Sequence, residues 1–236
     1  NVISSSVETH ARFGGVVPEI ASRAHLEAIQ NVISQALNDA DVALTDIDAF
    51  GVTAGPGLIG ALLVGTSSAS ALALALGKPL YGVNHLTAHL SVDLINNTEK
   101  FDGAIGLLVS GGHSSILKIG DYIKDVSTIG STMDDAAGEA FDKIARLLKL
   151  SFPGGPAIDK VAQTGNPEAI NFPRGLSNDP LHRYDFSFSG LKTAVSRYLQ
   201  QTPSYVLADV AASFQEAVAD VLISKTIDAA IEQGMD

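Results

Sequence analysis

The chain has 236 residues, a hydrophobic content of 46% and a mean hydropathy of +0.22, which exclude a disordered protein and allow two lobes with a sizeable core. It contains no Cys, which excludes a disulfide framework and a Cys-ligated zinc site and is consistent with a cytoplasmic location. The net charge of −11 argues against indiscriminate binding to nucleic acid.

The first half of the chain alternates strands and helices. A strand is predicted at 2–7, a helix begins at Pro18, and a second strand lies at 47–53. A long apolar helix within 58–76 and a strand at 79–83 follow. The helix has the length of a membrane span but carries Gly, Ser and Thr, so we interpret it as a fully buried core helix. The alternation predicts an α/β fold with a parallel sheet.

The second half has a different pattern. Three consecutive strands, which predict an antiparallel meander, lie at 104–109, 114–119 and 122–129. Helices are predicted at about 136–150, 156–163, 190–199 and 209–233. This change of pattern predicts an N-terminal lobe at 1–103 and a second lobe at 104–236. No strand follows the last helix, and we expect the sequence to be truncated at both ends.

A glycine-rich turn at 55–60, Gly-Pro-Gly-Leu-Ile-Gly, opens the long apolar helix. It matches the G-x-G-x-x-G pattern of dinucleotide-binding proteins. Those proteins also carry an acidic residue near the end of the next strand, which here ends at Asn84 with no Asp or Glu beside it. We therefore disfavour a nicotinamide or flavin site, and we interpret the glycines as allowing a tight turn and close packing of the helix on the sheet.

A histidine pair, His85 and His89, follows the strand at 79–83 in the sequence NHLTAHL. Residues four apart share a face of a helix, so both imidazoles can reach one metal ion. The pair also lies at the carboxyl end of a strand, where α/β sheets bind ligands. These features predict a metal site, with an ordinary surface pair as the alternative.

The predicted metal site differs from that of zinc proteases. In the protease pattern H-E-x-x-H the Glu acts as general base, whereas Leu86 occupies that position here, so proteolysis is disfavoured. Two imidazoles do not complete a metal site. A third ligand, expected to be a carboxylate, must come from elsewhere.

Two further glycine turns carry candidate nucleotide-binding groups. Ser-Gly-Gly-His at 110–113 joins two strands and predicts either a nest of backbone N–H groups for phosphate or a plain hairpin. Gly154 and Gly155 open a helix where the backbone can approach a ribose or a phosphate. Asp159 can accept hydrogen bonds from ribose hydroxyls or interact with the helix dipole.

Several polar residues at helix starts have a structural interpretation. Asp134 or Asp135 is expected to cap the helix that follows them, and Ser189 is expected to cap the helix at 190–199. Asp142 lies further along an otherwise apolar helix. We predict that it points its carboxylate into a cleft.

Seven motifs in this order resemble the TsaD family, which installs threonylcarbamoyl groups on tRNA. They are FGGVVPEIASRAH at 13–25, TAGPGLIGALLVG at 53–65, NHLTAHL at 84–90, LLVSGGHSS at 107–115, DDAAGEAFDK at 134–143, FPGGPAID at 152–159 and FSFSGLKTA at 186–194. The resemblance covers essentially the whole chain, and the ordered set is specific although no single motif is.

The resemblance implies the two-lobed α/β fold of actin, heat-shock chaperones and sugar kinases, the ASKHA fold, with a nucleotide between the lobes. It implies transfer of threonylcarbamoyl from threonylcarbamoyl-AMP to N6 of the adenosine at position 37, next to the anticodon, in tRNAs that read ANN codons. Because this donor is already activated, alignment of donor and amine is the main task. No covalent nucleophile is expected.

The resemblance also implies site residues. His85 and His89 would bind one divalent metal, iron or zinc, with an Asp beyond residue 236 as the third ligand. Threonylcarbamoyl-AMP, or ATP or ADP, would contact Leu108, Val109, Ser110, Gly111, Gly112, Asp142, Gly155 and Asp159.

The sequence departs from the family pattern at its ends. It lacks a first strand with a Glu-Ser-Ser-type phosphate loop, a C-terminal Gly-Gly-Val-Ala-Asn segment and the later Asp. Three alternatives are weighed against the transferase. A metalloendopeptidase is disfavoured by Leu86, and a non-catalytic nucleotide-binding scaffold, such as the related TsaB protein, by the intact histidine pair. A kinase of the same fold needs a base near its acceptor hydroxyl, for which no motif is found.

The expected partners are tRNA, a TsaB-like homologous protein, a TsaE-like ATPase and a TsaC-like synthase that makes threonylcarbamoyl-AMP. Residues 143–197 hold eight of the fifteen Lys and Arg but four of the twenty-six Asp and Glu. This uneven distribution indicates a tRNA-binding face, with an ordinary solvated surface as the alternative. Its candidate residues are Arg174, Arg183, Lys192 and Arg197.

Overall fold

The computed structural model describes the chain except residues 14, 96–102, 123–124, 178 and 236. It divides into two units, Asn1–Val92 and Asp93–Asp236. The mixed α/β character agrees with the prediction. The boundary predicted between residues 103 and 104 remains a prediction.

The first unit contains a two-stranded parallel sheet with helices before, between and after its strands. Its elements are α1 (Val7–Ala11), α2 (Pro18–Ala40), β1 (Phe50–Gly55), α3 (Ile59–Leu76), β2 (Leu80–Asn84) and α4 (His85–Leu90). Phe50 pairs with Leu80 and Thr53 pairs with Val83. The predicted parallel pairing is therefore confirmed, and α3 is the crossover that parallel strands require.

The third glycine of the G-x-G-x-x-G turn has a packing role. A Cβ atom added to Gly60 would lie 2.3 Å from Ser22 Oγ, on α2. The close contact is thus between two helices, not between helix and sheet as predicted. This packing accounts for Gly60 without a bound dinucleotide.

The strand predicted at 2–7 is wrong. In the described chain, residues before α1 pair with no other strand, and α1 begins at Val7. The Val7 amide donates a hydrogen bond to Ser5 Oγ at 3.3 Å. Local bonds of this kind compete with strand pairing in a serine-rich segment.

The prediction that α3 is fully buried is also wrong. Only Ala73 is buried, while Leu63 and Leu74 are 58% and 85% exposed. The described contacts of α3 are with α2, β1 and β2, so the two-stranded sheet covers one side of the helix. By length and composition, α3 is the one helix within the described ranges that could cross a membrane. A single helix of this kind is weak evidence for a span.

The second unit opens with the predicted antiparallel meander, in the order β3-β4-β5. Its elements are β3 (Ala104–Val109), β4 (Ser114–Asp121), β5 (Asp125–Ser131), α5 (Ala137–Leu147), α6 (Gly154–Ala162), α7 (Ser189–Gln201) and α8 (Leu207–Glu232). The strand predicted at 122–129 falls partly on residues 123–124, outside the described residues. The four predicted helices are confirmed, with ends shifted by a few residues.

The core of this unit is built around α8, and α6 and α7 pack against it. Its predicted apolar face is buried, with Val210 and Phe214 fully inaccessible. The Phe214 ring meets Phe141 of α5 edge to face, with 4.9 Å between centroids. Phe186 and Phe188 are also buried, so the intervening Ser187 lies on the opposite side of an extended segment.

A buried lysine of α8 forms hydrogen bonds to the segment at 176–183, which lies before α7 in the chain. Lys225 is 4% exposed, and its Nζ donates to the carbonyls of Leu176, His182 and Arg183 at 2.8–3.0 Å. Burial lowers the pKa of this lysine. Three main-chain acceptors stabilise the buried ammonium group, and none of the ion pairs among the described residues involves it.

Candidate functional site

The predicted metal ligands lie on α4, which begins directly after β2. Asn84 caps this helix: its Oδ1 accepts hydrogen bonds from the amides of Leu86 and Thr87 at 2.9 and 3.1 Å. The cap starts the helix at the carboxyl end of the strand. The His85 and His89 rings meet edge to face with 4.5 Å between centroids, so the structure brings the two imidazoles together.

This donor pair fits a divalent transition metal. Imidazole nitrogen suits iron and zinc, and a zinc ion is bound at about 2.0–2.1 Å from each nitrogen, within reach of two adjacent rings. No group of three or more potential ligands occurs among the described residues. The structure therefore brings together the two histidines that were predicted as ligands, without a third candidate beside them among the described residues.

The predicted phosphate turn, Ser110–Gly112, joins β3 to β4. Ser110 Oγ accepts hydrogen bonds from the amides of Gly112 and His113 at 3.3 and 3.0 Å, and the Ser110 amide donates to the His113 carbonyl at 2.8 Å. The serine hydroxyl thus stabilises the turn by accepting hydrogen bonds from two of the turn's own amides. Apart from the chain neighbours, no atom of the described residues lies within 4 Å of a Cβ built on Gly111 or Gly112, so this side of the turn is open to a ligand.

The start of α5 packs directly on this turn through Gly138. The Gly138 amide donates to the Ser110 carbonyl at 3.2 Å, and a Cβ on Gly138 would lie 2.7 Å from that oxygen. The neighbouring Ala137 amide donates to the buried Ser114 Oγ at 2.8 Å. Gly138 was not among the predicted site residues. Its place as a glycine in the first turn of the helix, within DDAAGEAFDK, was the signal available in the sequence.

Asp142, one turn further along α5, holds the start of α6. The Gly154 amide donates to Asp142 Oδ1 at 2.7 Å. A Cβ on Gly154 would lie 2.6 Å from Asp142 Cα, so the two helices touch through their main chains. Asp142 therefore caps α6 from another helix, which gives it a structural role besides the predicted one. The Cβ position of Gly155 faces open space.

Asp159, on α6, is held by a residue that the sequence did not indicate. Gln215 of α8 donates from Nε2 to Asp159 Oδ1 at 3.2 Å. The Oε1 atom of the same amide is buried and has no partner among the described residues. The elements that carry the predicted nucleotide contacts are thus connected by hydrogen bonds. The turn at 110–112 is bonded to α5, α5 is bonded to α6, and α6 is bonded to α8.

Asp134 binds the FSFSG segment at 186–190 through its carboxylate. Its carboxylate accepts hydrogen bonds from the hydroxyls of Ser187 and Ser189, both at 2.6 Å, and from the Phe188 amide at 2.8 Å. Both capping predictions are wrong. Asp134 binds this segment and Asp135 pairs with Lys143, while Ser189 is the first residue of α7 and donates its hydroxyl to Asp134. Tertiary partners outcompete local caps at these positions.

The electrostatics of Asp134 predict a pH dependence. Partial burial raises the pKa of Asp134, but the hydrogen bonds from Ser187, Ser189, Phe188 and Asp135 outweigh it and lower the pKa from 3.8 to about 2. A depressed carboxyl pKa stabilises the fold above the unfolded-state value, and the contribution is lost as the pH falls towards 2. We expect the stability difference between wild type and Asp134→Asn to be constant above about pH 5 and to shrink below it.

Urea unfolding between pH 2 and pH 6 measures this difference. Asp48→Asn, which removes an exposed carboxylate elsewhere, is the matched control and should show no such change. An identical pH profile for wild type and Asp134→Asn would contradict the assignment.

The four predicted tRNA-contacting cations do not share one environment. Arg174 donates from Nη2 to Asp220 Oδ2 at 2.6 Å, and Arg183 pairs with Glu232. Lys192 and Arg197 lie on α7, where they line an open polar cavity together with Lys143. The structure therefore brings two of the four together and pairs the other two with carboxylates.

Comparisons with known proteins agree with these observations. A family model described as "TsaD: tRNA N6-adenosine threonylcarbamoyltransferase" matches residues 1–235. A Corynebacterium diphtheriae protein named tRNA N6-adenosine threonylcarbamoyltransferase is 55% identical over 242 residues, which cover 99% of this chain and 68% of the relative. A Clostridium botulinum protein of the same name is 52% identical over 241 residues, covering 100% of this chain and 70% of the relative.

Proposed function

Because the chain belongs to the TsaD family of tRNA N6-adenosine threonylcarbamoyltransferases, we propose that it transfers threonylcarbamoyl from threonylcarbamoyl-AMP to the adenosine at position 37 of tRNAs that read ANN codons. The observation that carries this proposal is the match of one family model to residues 1–235. Relatives above 50% identity that cover nearly the whole chain carry the same activity in their names.

The fold proposed for the whole enzyme is the two-lobed ASKHA fold, with the nucleotide between the lobes. The parallel β1-α3-β2 unit and the antiparallel meander β3-β4-β5 are consistent with parts of such lobes. The donor would contact residues of the second unit. These are Leu108, Val109, Ser110, Gly111, Gly112, Asp142, Gly155 and Asp159.

The contacts of these residues support distinct roles. The open side of Gly111 and Gly112 suits close approach of phosphate oxygens to the backbone. Gly155, with open space at its Cβ position, suits close approach of the nucleotide to the first turn of α6. Asp159, oriented by Gln215, is proposed to accept hydrogen bonds from the ribose hydroxyls. Asp142 positions Gly155 because it holds the adjacent Gly154 amide.

The proposed reaction requires no nucleophile from the protein. The exocyclic amine of adenosine attacks the carbamoyl carbon, a C–N bond forms, and the bond to the AMP phosphate oxygen breaks. The amine loses a proton and AMP leaves with the bonding electrons. Holding donor and amine in line supplies most of the required acceleration, so no residue is assigned as a covalent nucleophile.

We propose that His85 and His89 hold one divalent metal, Fe²⁺ or Zn²⁺, and that an Asp beyond residue 236 completes the site. The approach of the two rings to 4.5 Å supports this assignment. When bound, the metal would polarise a donor oxygen and fix the orientation of the donor. Leu86, in place of the zinc-protease Glu, disfavours a metalloendopeptidase.

The proposed setting is the cytoplasm, where unmodified tRNA is found. The proposed partners are a TsaB-like homologue, a TsaE-like ATPase and a TsaC-like synthase that supplies threonylcarbamoyl-AMP. These assignments rest on membership of the family.

The test uses the full-length protein with these partners, tRNA that lacks the modification, ATP, bicarbonate and labelled threonine. We expect label on tRNA with wild type. We expect Asp159→Ala to bind ADP about 10- to 100-fold more weakly, because a hydrogen bond to a charged group is worth about 1.5–3 kcal/mol. If no label appears on tRNA while threonylcarbamoyl-AMP is present, the protein is instead a nucleotide-binding scaffold.

A further inference from the structure

An open polar cavity lies between α7 and the start of α5, in the second unit. Its volume is about 550 Å³, and its lining residues are Asp135, Lys143, Ser189, Lys192, Thr193, Ser196, Arg197 and Gln200. The α7 members recur at spacings of three and four residues, so they form one face of the helix. Every lining side chain is polar or charged, so the cavity suits a polar or charged ligand better than an apolar one.

The cations of this cavity differ in their partners. Lys143 is fixed by Asp135 and, at 2.9 Å, by Glu139, and these hydrogen bonds raise its pKa, so it stays charged at neutral pH. Lys192 and Arg197 have no carboxylate within ion-pair distance in the part of the chain that the structure describes. The positive charge of Lys192 and Arg197 is therefore not neutralised at short range by a described carboxylate, and it attracts anions to the cavity although Asp135 also lines it.

The spacing of the two cations along α7 favours a chain of phosphates over a single phosphate. Lys192 and Arg197 are five residues apart on α7, a rise of about 7.5 Å along the helix axis. Two cations at this separation can each contact a different phosphate of one strand. The hydroxyls of Thr193 and Ser196 lie between them on the same face and can donate to phosphate oxygens.

We propose that this cavity binds the phosphodiester backbone of the tRNA substrate, with Lys192 and Arg197 as its two phosphate contacts. The inference rests on the proposed transferase function and names where the tRNA strand lies. It concentrates on two of the four residues predicted from the sequence, because Arg174 and Arg183 are paired with Asp220 and Glu232.

The experiment measures tRNA binding to the full-length protein with its partners between 50 and 200 mM salt. The variants are Lys192→Gln, Arg197→Gln and their combination. Arg23→Gln removes the same charge from an exposed ion pair on α2 and is the matched control. Thermal unfolding of each variant checks that the fold is intact.

We expect the double variant to bind tRNA about 10-fold more weakly at 100 mM salt. The slope of log affinity against log salt should fall by about 1.5, because each lost phosphate contact accounts for about 0.7–0.9 of the slope. In the transfer assay, KM for tRNA should rise while kcat at saturating tRNA stays unchanged. Arg23→Gln should match wild type in each measurement.

Several results would overturn the proposal. An unchanged salt slope in the double variant, or an equal loss with Arg23→Gln, would mean that the cavity makes no specific contact with tRNA. Displacement of tRNA by inorganic phosphate at constant ionic strength would identify a small-anion site instead. Loss of the TsaB-like partner with tRNA affinity unchanged would identify a protein-docking surface. A wild type that binds tRNA through these cations but transfers no label would contradict the proposed function and leave the cavity assignment standing.

Discussion

Replacing His85 or His89 by alanine is expected to lower the rate of threonylcarbamoyl transfer by at least about 100-fold. The two imidazoles that are proposed to hold the metal have ring centroids 4.5 Å apart, and either substitution leaves one. Loss of a residue that only orients a metal ligand typically costs 10–100-fold in metal affinity or activity, so loss of a ligand should cost more. The same variants should lose bound metal.

The measurement combines label on tRNA with the metal content of the purified full-length protein. Thr87→Ala is the matched control, because Thr87 lies on the same helix between the two histidines and offers no imidazole. It should retain metal and activity, since the amide bonds to Asn84 that start α4 are kept. Full transfer by His85→Ala with unchanged metal content would contradict the role of the pair.

Gly154→Ala is expected to lower the free energy of unfolding by about 2 kcal/mol. Its Cβ would lie 2.6 Å from Asp142 Cα and from the Phe141 carbonyl oxygen, which are main-chain atoms of α5 and cannot rotate away. Forcing extra volume into such a contact typically costs about 1–3 kcal/mol. The shift would also disturb the hydrogen bond between the Gly154 amide and Asp142.

Gly155→Ala separates packing from binding at the adjacent position. In the part of the chain that the structure describes, only chain neighbours come within 4 Å of the added Cβ, so the stability of Gly155→Ala should equal that of wild type or exceed it slightly. Because Gly155 is proposed to contact the nucleotide, this variant should bind ADP more weakly without unfolding more easily. Denaturant titration and ADP binding measure the two effects. Equal stability of the two variants would refute the packing argument, and unchanged ADP affinity of Gly155→Ala would refute the contact.

Most helices and strands could be predicted from the sequence because their signals are local. Pro18 at the first position of α2, the apolar spacing of α8 and the turn residues of the meander each act within a few positions of the chain. The failures came where local and tertiary preferences compete. Ser189 has the composition of a helix cap, but its hydroxyl donates to Asp134, fifty-five residues away in the chain.

Two of the four predicted tRNA contacts have acidic partners that the sequence does not indicate. Arg174 and Arg183 look like free cations in a basic stretch of sequence. Their carboxylate partners, Asp220 and Glu232, lie on α8, more than forty residues further on. Charge counted along a segment cannot include partners that only folding brings close. Only the packed structure shows the difference: Arg174 and Arg183 have carboxylate partners, whereas Lys192 and Arg197 have none among the described residues.

The sequence by itself determined the family, the activity that the family carries, the histidine pair and the glycine turns, because each depends on residue types at fixed short spacings. The tertiary structure decided how these pieces are held. It placed Gly138 against the phosphate turn, Asp142 under the first turn of α6 and Gln215 beside Asp159. These contacts join residues from separate elements, and their geometry follows from how the helices pack, which no local pattern records.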